Sequence, residues 1–221
     1  MKRFDGVIFD LDGTLLDTID DLKTACEYAF EKGDGSVTRQ QTLDGINRGV
    51  NVLIRSIAKS LCIEDYDFEI AKARFTKRYA ECYTDKTVPF EGIEQLIEKL
   101  KLAGYKIGVF SNKIDKFVKK LCDSKFKKGL IDCARGETEG TKPKPDPEGA
   151  YIVMQQLDIT DRKRIIYVGD SDIDVKTAKN AGFYCVGVAW GYKDKEILKN
   201  AGADIIANDT NELYGFITEE I

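Results

Sequence analysis

Histidine is absent from all 221 residues, and that one gap removes a large part of enzyme chemistry. Ser-His-Asp relays, Cys-His pairs and zinc held by imidazole are excluded. Catalysis in this chain must run on carboxylates, lysine, hydroxyls or a hard metal ion. Positive charge is also in short supply: 34 Lys and Arg against 38 Asp and Glu leave a net charge of −4. Neutralising a nucleic-acid backbone needs a clustered basic surplus, so the balance argues against such a partner, while a local basic pocket for a small anion stays open. No apolar run approaches the roughly 18 residues that span a bilayer, and no repeat or low-complexity segment occurs. Lys2 and Arg3 precede an apolar stretch, but Asp5, Asp10 and Asp12 interrupt it, which reads against a signal peptide. None of the six cysteines stands in Cys-x-x-Cys spacing. They are expected to be reduced, mostly buried thiols of a cytoplasmic protein.

What is present is an ordinary globular composition, 43% hydrophobic and 33% charged, long enough for one large domain or a domain with a smaller attachment. Val7-Ile8-Phe9 reads as a buried strand ending in Asp10-Leu11-Asp12-Gly13-Thr14. Residues two apart on a strand face the same side, so Asp10 and Asp12 point together, and two such carboxylates repel unless a cation joins them. A lone Asp-x-Asp is as well explained by a solvated turn, so the rest of the chain has to decide.

Helical spacing follows over 18–32, with Thr18 and Asp21 as a capping start, and residues 33–36 break it. Further helices are expected over 38–61, interrupted near 45–49, and over 66–83, with no strand among them. From Pro89 strands and helices alternate. Helices are expected at 93–103, 116–124, 148–157, 175–181 and 195–201, and strands at 106–110, 130–133, 164–168, 184–188 and 204–207. This is the pattern of a parallel α/β sheet with helices on both faces, carrying a helical bundle inserted after the first strand.

Ligands bind such a sheet at the carboxyl ends of its strands. Asp10 and Asp12, Ser111 and Asn112, and Asp170 each follow an apolar strand, which places them on one edge. Asp174 follows Asp170 by four residues and reaches the same site, whereas Asp172 reads as a helix N-terminal acid. Asp10, Asp12 and Asp170 make a hard oxygen set suited to Mg2+, and no EF-hand spacing suggests Ca2+ as an end in itself. In Thr141-Lys142-Pro143-Lys144-Pro145-Asp146-Pro147 the prolines stiffen a loop that can present an ammonium group to a phosphate. Lys142 is taken as that group and Lys144 as a solvated surface charge.

Four motifs occur in order, Asp10 to Thr14, the strand ending in Ser111-Asn112, Lys142 with its prolines, and Gly169-Asp170-Ser171-Asp172-Ile173-Asp174. Together they resemble the haloacid dehalogenase superfamily phosphatases, and within them the phosphoglycolate phosphatase-like group. The resemblance covers essentially the whole chain. It implies a Rossmann-like core over 1–15 and 86–221 with a helical cap over 16–85. It implies that Asp10 is the nucleophile of an aspartyl-phosphate pathway and that Asp12 is the general acid and base, a group the dehalogenases lack. Ser111, the Asn112 backbone and Lys142 would hold the phosphoryl oxygens. Asp10, the Asp12 carbonyl and Asp170 would hold Mg2+, with Asp174 in support. In the cap, residues 45–53 resemble the family's specificity loop, where Arg48 would meet a substrate carboxylate, while Arg55 and Lys59 read as solvated. The expected function is a Mg2+-dependent phosphatase of small phosphorylated metabolites, 2-phosphoglycolate among them, with no nucleic-acid or membrane partner. A β-phosphoglucomutase-like mutase and a non-catalytic phosphometabolite-binding protein stand as alternatives, and monomer and dimer are both open.

Overall fold

Along the first strand, Val7 and Phe9 join one apolar cluster and Ile8 joins another, and all three are fully buried. Side chains alternate across a strand, so a run apolar at every position must be covered on both faces. The computed structural model, which describes residues 2–32, 35–46 and 48–218, shows that arrangement.

The chain runs through β1 (Gly6–Phe9), β2 (Leu16–Asp17), α1 (Ile19–Ala29), α2 (Arg39–Gly45), α3 (Val50–Ser60), α4 (Phe68–Cys82) and β3 (Val88–Pro89). It continues with α5 (Ile93–Leu102), β4 (Lys106–Ile114), α6 (Asp115–Lys125), β5 (Cys133–Glu137), α7 (Glu148–Gln156) and β6 (Ile165–Gly169). The last elements are α8 (Asp172–Ala181), β7 (Tyr184–Val188), α9 (Lys195–Ala201), β8 (Ile205–Ala207) and α10 (Thr210–Thr218). Six strands form one sheet in the order β5-β4-β1-β6-β7-β8, every pairing parallel. Thus β1 lies in the middle, flanked by β4 and β6, and its carboxyl end faces theirs. No helix among the described residues is long and apolar enough to cross a membrane.

Helices α1 to α4 share a separate apolar core, with Leu22, Ile54, Ile57, Phe75 and Tyr79 among its members and Phe117 of α6 reaching into it. The insert is tied to the sheet by a two-stranded ribbon, Leu16 opposite Pro89 and Asp17 opposite Val88. The sequence pattern did not show this ribbon, since two residues per strand carry no periodicity. It also did not show α10, which packs Leu213 and Ile217 into the core. The expected strand at 130–133 is observed at Cys133–Glu137, and the strand expected to stop at residue 110 runs on to Ile114. The expected break at 33–36 includes Gly33 and Asp34, which lie outside the described residues, as does Asn47 of the 45–53 loop.

The capping pair expected at Thr18 and Asp21 does not form. Thr18 Oγ1 donates instead to Asp12, and the buried Asp21 carboxylate accepts from Lys86 N, Thr87 N (2.8 Å) and Thr87 Oγ1 (2.7 Å). Asp21 therefore closes the insert onto its returning chain. Capping boxes occur at Thr38 with Gln41 and at Ser171 with Asp174.

Removing a shared acceptor leaves its buried donors unsatisfied. Asp21→Ala is therefore expected to lower stability by roughly 2–3 kcal/mol, read from the urea midpoint. An unchanged midpoint would show that the return segment is held by something else.

Candidate active site

Because β1 is central, the three strand ends that carry polar groups converge. Asp10 leaves β1, Ser111 and Asn112 belong to the last part of β4, and Asp170 leaves β6. All of them are buried. The carboxylates of Asp10, Asp170 and Asp174 approach within 4.8 Å of one another. Gly13 turns the chain between Asp12 and Thr14 at φ +92°, and a Cβ there would collide with the Asp170 carboxylate, so only glycine fits. Asp170 accepts from Tyr192 N at 2.7 Å and from Thr14 Oγ1 at 3.4 Å. Asp174 is held by Ser171 Oγ at 2.5 Å and Ser171 N at 3.1 Å.

The cation inside this group is Lys144. Its ammonium lies 2.7 Å from both Asp10 Oδ1 and Asp174 Oδ1, on a side chain only 2% exposed. Lys142, the residue expected there, is 76% exposed and pairs at 3.6 Å with Asp146. The structure thus exchanges the two roles. The cause is a repeated pattern: Lys-Pro-x-Pro begins at both Lys142 and Lys144, and side-chain periodicity does not separate the two registers. Asn112 selects between them. Its Oδ1 accepts from Lys144 N at 2.7 Å, and its Nδ2 donates to Lys144 O at 3.2 Å. The Asn112 side chain is therefore spent on clamping the lysine loop. A sequence signal existed, because the second register abuts the helix that starts at Glu148.

Asp12 is not one of the three clustered carboxylates. It accepts from Lys113 Nζ at 2.7 Å, from Thr18 Oγ1 at 2.5 Å and from Ser111 Oγ at 3.4 Å. The pair in Asp-x-Asp is therefore divided, with one carboxylate in the acidic cluster and the other facing a separate lysine. Arg48 lies exposed on the surface, and its charge is felt at Asp172. Asp172 pairs with Lys176 at the start of α8, as a helix N-terminal acid would. Lys113, Thr18, Tyr79 and Tyr192 belong to the site and carried no motif by which to find them.

Electrostatics explain what the cluster needs. Burial, and then the charge of Asp174, hold Asp10 well above the usual carboxylate range against the pull of Lys144; Asp170 and Asp12 push the same way. Burial and Asp174 raise Asp170 to about 7. Burial alone would lower Lys144, but Asp10 and Asp174 reverse this and hold it well above its ordinary value. Four carboxylates (Asp10, Asp12, Asp170, Asp174) meet two ammonium groups (Lys144, Lys113), leaving two negative charges uncompensated. Burial and neighbouring carboxylates push Asp10 and Asp170 toward their protonated forms, and a divalent cation would relieve the same excess of negative charge. Asp10 Oδ2 is buried without a hydrogen-bond partner among the described residues. An orphaned carboxylate oxygen in an all-oxygen donor set fits a hard divalent ion.

A family model described as haloacid dehalogenase-like hydrolase matches residues 7–188. A phosphoglycolate phosphatase of Vibrio parahaemolyticus is 30% identical over 94% of this chain and 93% of its own length. An N-acetylmuramic acid 6-phosphate phosphatase of Pseudomonas aeruginosa is also 30% identical, over 96% of this chain and 93% of its own. A crystal structure from Lactobacillus delbrueckii subsp. bulgaricus, provisionally named a phosphoglycolate phosphatase, superposes with a TM-score of 0.88. It is 32% identical and covers 100% of both chains.

Two stability tests follow from the charges. Lys144→Met leaves a buried carboxylate cluster without its cation and is expected to cost about 3 kcal/mol, whereas Lys142→Ala should change denaturation by less than about 0.5 kcal/mol. Equal effects would reject the exchange of roles. Asp170 binds its proton more tightly in the folded chain than an ordinary carboxyl does, because burial and Asp174 raise it from 3.8 to about 7. Its ionisation therefore removes stability as the pH rises from 3.8 through about 7. Asp170→Asn, in chelator, should raise the melting temperature more at pH 8 than at pH 4.5, and a gain independent of pH would contradict the assignment.

Proposed function

Since the chain belongs to the haloacid dehalogenase-like hydrolases, we propose that it hydrolyses small phosphate monoesters through a phosphoryl group carried on Asp10. It is a phosphoric monoester hydrolase. The route, the metal and the substrate are the proposal, and the observation that carries it is the state of Asp10. One of its oxygens is fixed by Lys144 at 2.7 Å and the other is buried without a partner, while a second, separately held carboxylate stands two residues away.

In this reading the Asp10 carboxylate attacks phosphorus, an acyl phosphate bond forms and the bond from phosphorus to the ester oxygen breaks. Asp12 gives that leaving oxygen its proton. Asp12 then takes a proton from water, the water oxygen attacks phosphorus, and inorganic phosphate leaves with Asp10 regenerated. Lys144 and the Ser111 hydroxyl stabilise charge on the phosphoryl oxygens, and Asn112 holds Lys144 in position. Asp10, Asp170 and Asp174, together with the Asp12 main-chain carbonyl, would hold Mg2+, which when bound supplies positive charge to the cluster and the phosphoryl group. The helical insert over 16–85 acts as a cap on the core formed by 1–15 and 86–221, and it excludes water from the acyl phosphate. Relatives of equal likeness are named for phosphoglycolate and for a muramic acid phosphate. The favoured substrate, 2-phosphoglycolate, is therefore a proposal that these names alone do not decide.

Phosphate release is expected from a panel of phosphoglycolate, sugar phosphates and N-acetylmuramic acid 6-phosphate, and it should be lost on chelation and restored by Mg2+. Asp10→Asn should lower turnover roughly a thousandfold or more. Turnover surviving that change in pure protein would reject the nucleophile. Isomerised sugar phosphate without net release would favour a mutase.

A further inference from the structure

The end of the sheet opposite the carboxylates carries a charge of its own. A cleft of about 570 Å³ opens there, where Arg3 and Phe4 lead into β1, Arg164 leads into β6 and Gly182 and Phe183 lead into β7. Its wall holds four cations, Arg3, Lys163, Arg164 and Lys179, against one carboxylate, Asp204. The chain as a whole has a net charge of −4, so its composition does not account for this surplus. Phe4 precedes Asp10 by six residues, roughly 20 Å along an extended strand, and the cleft is therefore separate from the carboxylate cluster.

What these cations already bind decides what is left over. Arg164 donates to both oxygens of Asp5, at 2.5 and 2.8 Å, and to the carbonyls of Lys2 and Arg3. Lys179 lies 2.5 Å from Asp204 Oδ1, and the other oxygen of that carboxylate accepts from Cys185 N. Asp161 accepts from the Lys163 amide. Arg3 and Lys163 keep no carboxylate partner for their side chains among the described residues. The Arg3 guanidinium rests 4.2 Å from the centre of the Tyr184 ring and 5.0 Å from that of Phe4. Arg162 lies 4.5 Å over Tyr151 in the same way, and a Cβ at Gly182 of the wall would stand 3.9 Å from Arg162 Cδ.

An arginine laid on an aromatic face is fixed in direction and keeps its N–H edges free, which suits the oxygens of a phosphate. The same stacking covers the ring that a nucleobase would use. Both oxygens of Asp204 are engaged, so the wall offers no carboxylate to attack phosphorus or hold a metal. A guest here is bound and not turned over. The cleft falls within the range of about 300–1,000 Å³ common to small-molecule sites. Arg3, Lys163 and the neighbouring Arg162 call for more negative charge than a single phosphate group brings.

We propose that this cleft is a second anion site, which takes a chain of two or three phosphates, either inorganic or carried on a nucleotide. Arg3 and Lys163 are its ligands and Arg162 borders it, while Arg164 and Lys179 are held in the wall by their own acids. The assignment is independent of the reaction at Asp10.

The test is calorimetric titration of the full chain with inorganic triphosphate in chelator, where the uncompensated carboxylates at the other end of the sheet repel the same anion. Saturable binding of one triphosphate per chain is expected, weakening about tenfold between roughly 50 and 200 mM salt. Arg3→Gln combined with Lys163→Gln should weaken it by about tenfold or more, with the urea midpoint nearly unchanged. Lys163→Gln alone alters an exposed side chain and should weaken it about threefold. Lys142→Gln removes a charge at the opposite end of the sheet and should leave binding within about twofold. ATP should match triphosphate within about threefold, because no aromatic face is free for its base. Absence of saturable binding, or binding unaltered by the double substitution, would overturn the site. A clear preference for ATP would place recognition in the base, and tighter binding of single-stranded DNA would make this a nucleic-acid face; either result also overturns it.

Discussion

The ammonium of Lys144, 2.7 Å from both Asp10 and Asp174, is the interaction on which this structure turns. Carboxylates gathered at buried strand ends repel one another, and burial adds the loss of their hydration. Without Lys144, Asp10, Asp170 and Asp174 could share one site only by taking up protons or another cation. Much of the surrounding sequence serves to hold this lysine and its partners. Asn112 clamps its backbone, Ser171 fixes Asp174, and the Tyr192 amide fixes Asp170. Even so, the lysine does not complete the neutralisation, since Asp10 and Asp170 still favour their protons. The unbalanced remainder is a charge deficit of the kind that a divalent cation would relieve.

The strand order makes this convergence possible. With β1 between β4 and β6, segments about 100 and 160 residues downstream of Asp10 arrive beside it at the same sheet edge. The apolar residues that bury β1 on both faces also fix where its carboxyl end lies, so Asp10 inherits its position from the core. The insert is fastened near the same point by the ribbon of β2 and β3 and by Asp21.

The fold class and most of the acidic site were legible in the sequence because they rest on patterns with a physical period. Apolar runs of strand length alternate with helical spacing, and acidic groups stand at strand ends. What was not legible lacked a period. Lys142 and Lys144 are two registers of one proline pattern, and only the distant Asn112 separates them. Thr18 looked like a helix cap because its spacing to Asp21 fits one, yet both side chains bond outside the helix, to Asp12 in one case and to the 86–87 segment in the other. Lys113 follows a recognisable Ser-Asn pair but is marked only by the direction its side chain takes, toward Asp12 and over Tyr79. Helix α10 and the two-residue strands were too short or too late in the chain to register.

Asp12 shows how the parts are joined. Its carboxylate receives Ser111 and Lys113 from the end of β4 and Thr18 from the root of the insert. The Thr18 amide in turn donates to the Tyr192 hydroxyl, which donates to Asp17, while the Tyr192 amide holds Asp170. One tyrosine after β7 thus links the base of the helical insert to the acidic cluster, and one threonine links that base to the second aspartate. A displacement of the insert cannot leave Asp12 unchanged, because Thr18 supplies one of its three side-chain hydrogen bonds. The position of the Asp12 carboxylate and the seating of the helical insert are therefore one structural condition, set within the ribbon where the chain leaves the sheet.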